Sequence, residues 1–88
     1  MFSKSIAIVD DDPNLLNIFS EALQMSGYNV SSFTNPILTY KHIKQNPKKY
    51  SLVVADYKMS GMNGLFFSTK LLEINLELNV ILLIILMM

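Results

Sequence analysis

Apolar positions in this chain alternate between short solid runs and amphipathic stretches. Ile6 to Val9 is an apolar, β-branched run, Leu52 to Ala55 is a second, and Val80 to Met88 is a third. Solid runs this short read as strands buried on both faces, as in a parallel sheet covered by helices. Between the first two, Leu15, Leu16, Phe19, Ala22 and Leu23 recur at three- and four-residue spacing, which predicts one apolar helix face. Asp12 supplies an N-cap acceptor for this helix, Pro13 suits its first position and Gly27 stops it. Tyr28 to Phe33 alternates like an edge strand. A second helix is predicted from Pro36 to Asn46, capped by Asn35, with Ile37, Leu38, Tyr40 and Ile43 as its apolar face and Pro47 as its stop. Leu65, Leu71, Leu72 and Ile74 predict a third helix beginning near Gly64. Its end is ambiguous in the pattern, because Glu73 to Val80 alternates with a period of two; we place a turn at Asn75 to Asn79 and a buried strand from Val80.

The resulting order is β-α-β-α-β-α-β, an α/β fold whose right-handed crossovers put helices on both faces of a parallel sheet. Each strand, helix and pair of loops takes about 24 residues, so five such units need about 120. The 88 residues hold three and a half, which predicts one domain, over 1–88, that is incomplete after its fourth strand.

Composition narrows the function. Hydrophobic residues make up 51% of the chain, enough for a core. Seven lysines balance seven acidic residues and arginine is absent, so no Arg-rich surface suited to phosphate or base recognition is present; nucleic-acid binding by this chain alone is not expected. No cysteine is present, which fits a reducing cytoplasm and excludes disulfides and thiolate metal sites. The apolar run near the start is too short for a secretory signal. The run at Val80 to Met88 falls short of the roughly 20 residues of a membrane span, so no membrane association is expected. Lys41, Lys44, Lys48 and Lys49 read as a solvated helix face ahead of a docking surface for an acidic partner, and His42 among them as a solvated helix residue ahead of a phosphorelay intermediate.

The candidate chemistry lies at two strand tips. The first strand ends on Asp10, Asp11 and Asp12, and the central strand stops at Asp56, followed by the turn-forming Ser60, Gly61, Asn63 and Gly64. In open α/β sheets ligands bind outside the carboxyl ends of the strands. Should these two strands be neighbours, their tips lie about 5 Å apart and three carboxylates converge. Like charges near 4 Å repel by about 4 kcal/mol at an effective dielectric of 20, so the cluster calls for a cation. An all-oxygen donor set points to a hard ion that keeps its waters, Mg²⁺ above all.

Ile6-Ala7-Ile8-Val9-Asp10-Asp11-Asp12-Pro13, followed at the expected separation by Val53-Val54-Ala55-Asp56-Tyr57-Lys58-Met59-Ser60-Gly61-Met62-Asn63-Gly64, resembles the receiver domain of two-component response regulators. The resemblance runs from about Ser5 to Leu83. It implies a flavodoxin-like, CheY-like sheet of order 2-1-3-4-5, with the strands that end in Asp10 and Asp56 side by side. It implies that Asp56 is the phosphoacceptor and that the donor is a phosphohistidine on a sensor histidine kinase or phosphotransfer protein. Asp11 and Asp56 would hold Mg²⁺ by carboxylate, the backbone carbonyl of Lys58 would be a third ligand, and Asp10 would act through water. Asp12 would serve only as the helix cap. Such a module is not an enzyme beyond self-catalysed aspartyl phosphorylation.

The chain departs from the family pattern in three places. Ile84, followed by Ile85, stands where the family has a Ser or Thr hydroxyl at the end of strand four. The Lys at the end of strand five has no counterpart. Ser60 replaces a proline in the turn after the acceptor, a milder change. The first two departures support an alternative, a degenerate or truncated receiver acting only as an interaction module or non-functional remnant. A phosphatase with an aspartyl nucleophile is disfavoured, because Asp12 precedes Pro13 as a cap and Asp56 is followed by Lys58 at the second position. Without a fifth strand the fourth presents an open edge, which predicts strand exchange or a homodimer through it.

Overall fold

The computed structural model describes residues 5–75 and 78–83. Seven elements alternate along the chain: β1 Ser5–Val9, α1 Pro13–Met25, β2 Asn29–Phe33, α2 Pro36–Gln45, β3 Leu52–Asp56, α3 Gly64–Ile74 and β4 Asn79–Leu83. All neighbouring strands pair in parallel, in the order β2-β1-β3-β4. This is the predicted doubly wound arrangement, with β2 at one edge and β4 at the other.

Alternation along the strands divides the core into two layers. Ile6, Ile8 and Val54 meet Leu16 of α1 on one face, joined by Phe19, Leu23 and Val30. Ala7, Val9, Val53 and Ala55 face the other way, against Ile43 of α2 and Phe67 and Leu71 of α3. The helix caps are those the sequence predicts. Asp12 accepts from the backbone N–H groups of Asn14 (2.9 Å) and Leu15 (3.4 Å), and Asn35 from those of Ile37 (2.9 Å) and Leu38 (3.1 Å).

Two predicted helix faces are rotated. On α2, Ile37 and Leu38 are 42% and 61% exposed, while the buried stripe is Pro36, Thr39 and Ile43. Thr39 tolerates burial because its hydroxyl donates to the Asn35 carbonyl at 2.6 Å, satisfying its own polar group within the helix. On α3, Leu65 is 57% exposed and the buried positions are Gly64, Phe67, Ser68 and Leu71. Ser68 likewise donates to the Gly64 carbonyl, at 2.8 Å. His42 is only partly solvated: it is half-buried, its Nε2 pairs with the Tyr50 hydroxyl at 2.8 Å, and its ring lies 5.4 Å from that of Phe33.

The last strand begins one residue earlier than predicted, at Asn79, and Val80 and Leu82 pack into the α2/α3 layer. Ile81 points to the α1 side and is 48% exposed there. It borders an apolar concavity of about 560 Å³ that also takes in Ile6, Leu23, Tyr28 and Leu52.

Candidate functional site

The register of the two central strands assembles the site. Val9 pairs with Ala55, so the residues that follow, Asp10 just past the end of β1 and Asp56 as the last residue of β3, stand at the same level. Carboxylate oxygens of Asp10, Asp11 and Asp56 all lie within 4.8 Å of one another. Pairing β1 with β3 therefore brings the three acids named from the sequence to one place.

Their environments differ. Asp10 is 2% exposed, Asp56 is half-buried and Asp11 is exposed. Asp10 Oδ1 accepts the Asp12 backbone N–H at 2.9 Å, whereas Oδ2 is buried with no hydrogen-bond partner. Burial raises the Asp10 carboxyl above the ordinary aspartate value; the Asp12 N–H opposes this, and the charges of Asp56, Asp11 and Asp12 add to it. Asp12 itself faces away as the α1 cap, as predicted.

Beside the acids, residues 57–63 form a loop that closes on its own base. Gly64 donates to the Tyr57 carbonyl at 2.7 Å, and Tyr57 donates to Leu83 of β4 at 2.9 Å. A Cβ on Gly64 would collide with the Asp56 carbonyl oxygen and lie 2.8 Å from the Tyr57 Cα, so only glycine lets α3 start this close to the acid. Gly61 turns the loop with φ +86°, and Asn63 caps α3 by accepting from Phe66 at 2.8 Å. Lys58 lines a concavity of about 370 Å³ with Asp11, Tyr57, Met59, Ser60 and Asn63. Ser60 has a larger part than the sequence suggested. Its backbone N–H and its hydroxyl both donate to Asp11 Oδ2, at 2.9 and 3.0 Å. No local signal marks this bond, because it joins loops 49 residues apart. Ile84 and Ile85, where the hydroxyl-bearing position was expected, lie outside the described residues.

The acids fit a hard divalent cation. Three carboxylates that each bring an oxygen within 4.8 Å of the others, one of them with a buried oxygen lacking any partner, form a donor set that such an ion satisfies.

A family model of the response regulator receiver domain matches residues 6–85. The chain belongs to the response regulator receiver family. As a receiver, it is similar to the response regulator receiver protein CpdR of Brucella abortus, with 29% identity over 77 residues that cover 88% of this chain and 62% of that protein. Among solved structures, a receiver domain protein from Clostridium thermocellum superimposes with a TM-score of 0.88 at 21% identity, covering 92% of this chain and 64% of that one. The CheX-CheY-BeF3-Mg²⁺ complex from Borrelia burgdorferi gives 0.88 at 19%, covering 94% and 63%. At these identities the structures show the shared fold. The chain thus spans a little over three-fifths of the length of each. Receiver domains are in general signalling modules rather than enzymes, bind Mg²⁺ through acidic residues and interact with kinases or phosphotransfer proteins. Among the described residues no helix is long and apolar enough to cross a membrane.

Proposed function

We propose that this receiver accepts a phosphoryl group on Asp56 in a two-component phosphorelay, with Mg²⁺ held by Asp11, Asp56 and the backbone carbonyl of Lys58, and with Asp10 acting through water. The observation that carries the reading is the convergence of three carboxylates within 4.8 Å at the tips of β1 and β3, one of them buried with an unpartnered oxygen. Family membership supplies the chemistry to which that geometry is suited.

In this reading an Asp56 carboxylate oxygen attacks phosphorus on a donor phosphohistidine. The new O–P bond forms as the P–N bond breaks, and the departing imidazole nitrogen takes up a proton. When bound, Mg²⁺ neutralises the charge shared by the carboxylates and the incoming phosphoryl oxygens. The chain's own contribution is positional. Strand pairing fixes Asp56, the Gly64 approach holds the loop that follows it, and burial of Asp10 keeps a second negative group directed at the same point.

The donor is a sensor histidine kinase or phosphotransfer protein, and the compartment a cytoplasm. The alternative of an interaction module or remnant is not favoured, since all three acids stand together. The 88-residue chain is also proposed to self-associate through β4, which stands at a sheet edge beside an open apolar face at Ile81. Incubation with Mg²⁺ and radiolabelled acetyl phosphate tests the central reading: the parent chain takes up label and an Asp56→Asn variant does not. No uptake by the parent would contradict it.

A further inference from the structure

Asp11 is the exposed member of the acidic cluster, and the two bonds from Ser60 are the hydrogen bonds it makes among the described residues. An exposed aspartate crowded by two like charges relieves the repulsion by swinging its carboxylate into water, at the cost of only one or two side-chain torsions. Ser60 prevents this. Its N–H and hydroxyl converge on one oxygen, Oδ2, and together saturate it, which leaves Oδ1 as the oxygen free for other ligands. The bond also ties the β1–α1 loop to the β3–α3 loop, across the mouth of the concavity that both residues line.

We propose that Ser60 is a positioning residue for Asp11: a two-pronged clamp from the β3–α3 loop that holds this carboxylate within the cluster and so raises the affinity of the site for Mg²⁺. The inference rests on reading the cluster as a Mg²⁺ site. It gives the serine a purpose specific to this chain, because proline, expected at this position from the family resemblance, has neither of the two donors. Partners that hydrogen-bond a metal-ligating carboxylate fix its orientation, and their loss ordinarily costs about 10- to 100-fold in metal affinity.

The test is calorimetric titration of the full chain with MgCl₂, without phosphodonor, for the parent and for Ser60→Ala, Ser60→Thr and Ser60→Pro. Removing the hydroxyl alone in Ser60→Ala is expected to weaken Mg²⁺ binding by about tenfold, the low end of that range, since the N–H remains. Ser60→Pro, which removes both donors, weakens it further, and Ser60→Thr restores parental affinity. Because Ser60 is exposed, melting temperatures measured in chelator stay at the parental value for Ser60→Ala and Ser60→Thr. Affinity in Ser60→Ala equal to or tighter than that of the parent overturns the clamp while leaving the phosphoacceptor reading intact. A lower melting temperature in Ser60→Ala with unchanged affinity does the same, by showing a purely structural role. A parent chain that takes up no Mg²⁺ overturns both.

Discussion

Asp12 donates its backbone N–H to Asp10 Oδ1 at 2.9 Å, and the other carboxylate oxygen of Asp10 is left buried and alone. The helix cap and the cluster are thus built from adjacent residues: the turn that lets Asp12 start α1 also pins Asp10 inward. Without a cation this arrangement is destabilising. Two unit charges about 5 Å apart repel by about 3 kcal/mol at an effective dielectric of 20. Asp10→Asn keeps the acceptor for Asp12 and removes the charge. In chelator the variant is expected to be more stable than the parent by about 1–2 kcal/mol, with each kcal/mol worth about 4–8 °C in Tm. Calorimetric melting in the presence and absence of Mg²⁺ checks this; a variant less stable than the parent in chelator would show that the buried charge is compensated.

The same residue sets a pH dependence. Burial raises the carboxyl of Asp10 in the folded chain above the ordinary aspartate range, so between the two values the folded state binds more protons than the unfolded one. Stability contributed by this group is therefore greatest at acid pH and declines as pH rises above about 4 towards the folded value. Melting temperatures of parent and Asp10→Asn, compared across this range in chelator, should diverge in the variant's favour as pH increases. A constant difference would assign the effect to something other than proton linkage.

Gly64 tests the loop independently of charge. A methyl group here meets the Asp56 carbonyl and the Tyr57 backbone, which belong to a strand end and cannot move aside cheaply. Gly64→Ala should cost about 1–3 kcal/mol, as overpacking does, and should also lower phosphoryl uptake because Asp56 is displaced. Urea unfolding with an unchanged midpoint would mean that the loop yields freely.

The two central strands and the three acids were legible in the sequence because each is encoded locally, by solid apolar runs that end on carboxylates, whereas the order of the strands came from the family resemblance, since nothing local records which strand pairs with which. The rotated faces of α2 and α3 were not. Thr39 and Ser68 can be buried because each satisfies its hydroxyl on the preceding turn, at the Asn35 and Gly64 carbonyls, so polarity was a poor guide to their position. His42 was misplaced for the opposite reason: its lysine neighbours suggested solvent, but Tyr50 and Phe33, distant in sequence, enclose its ring. The Ser60–Asp11 bond has no local signature, because it depends on how two loops approach one another.

The β4 edge predicts behaviour in solution. Ile81 is 48% exposed next to the open apolar face, so the 88-residue chain should form dimers or larger species as its concentration rises. Ile81→Lys should shift it towards monomer, since an inserted charge blunts both the face and the edge. Sedimentation velocity over a concentration series distinguishes the two, and a parent chain that stays monomeric throughout refutes the proposed association.

The central claim is that Asp56 takes the phosphoryl group with the help of a cation held by its neighbours. Site-resolved mass spectrometry of the chain after exposure to acetyl phosphate addresses it most directly. The expected result is a single phosphoryl group on Asp56, formed with Mg²⁺, absent with a chelator and absent in Asp11→Ala. Phosphate on another residue, or modification of Asp56 that is indifferent to Mg²⁺, would contradict it.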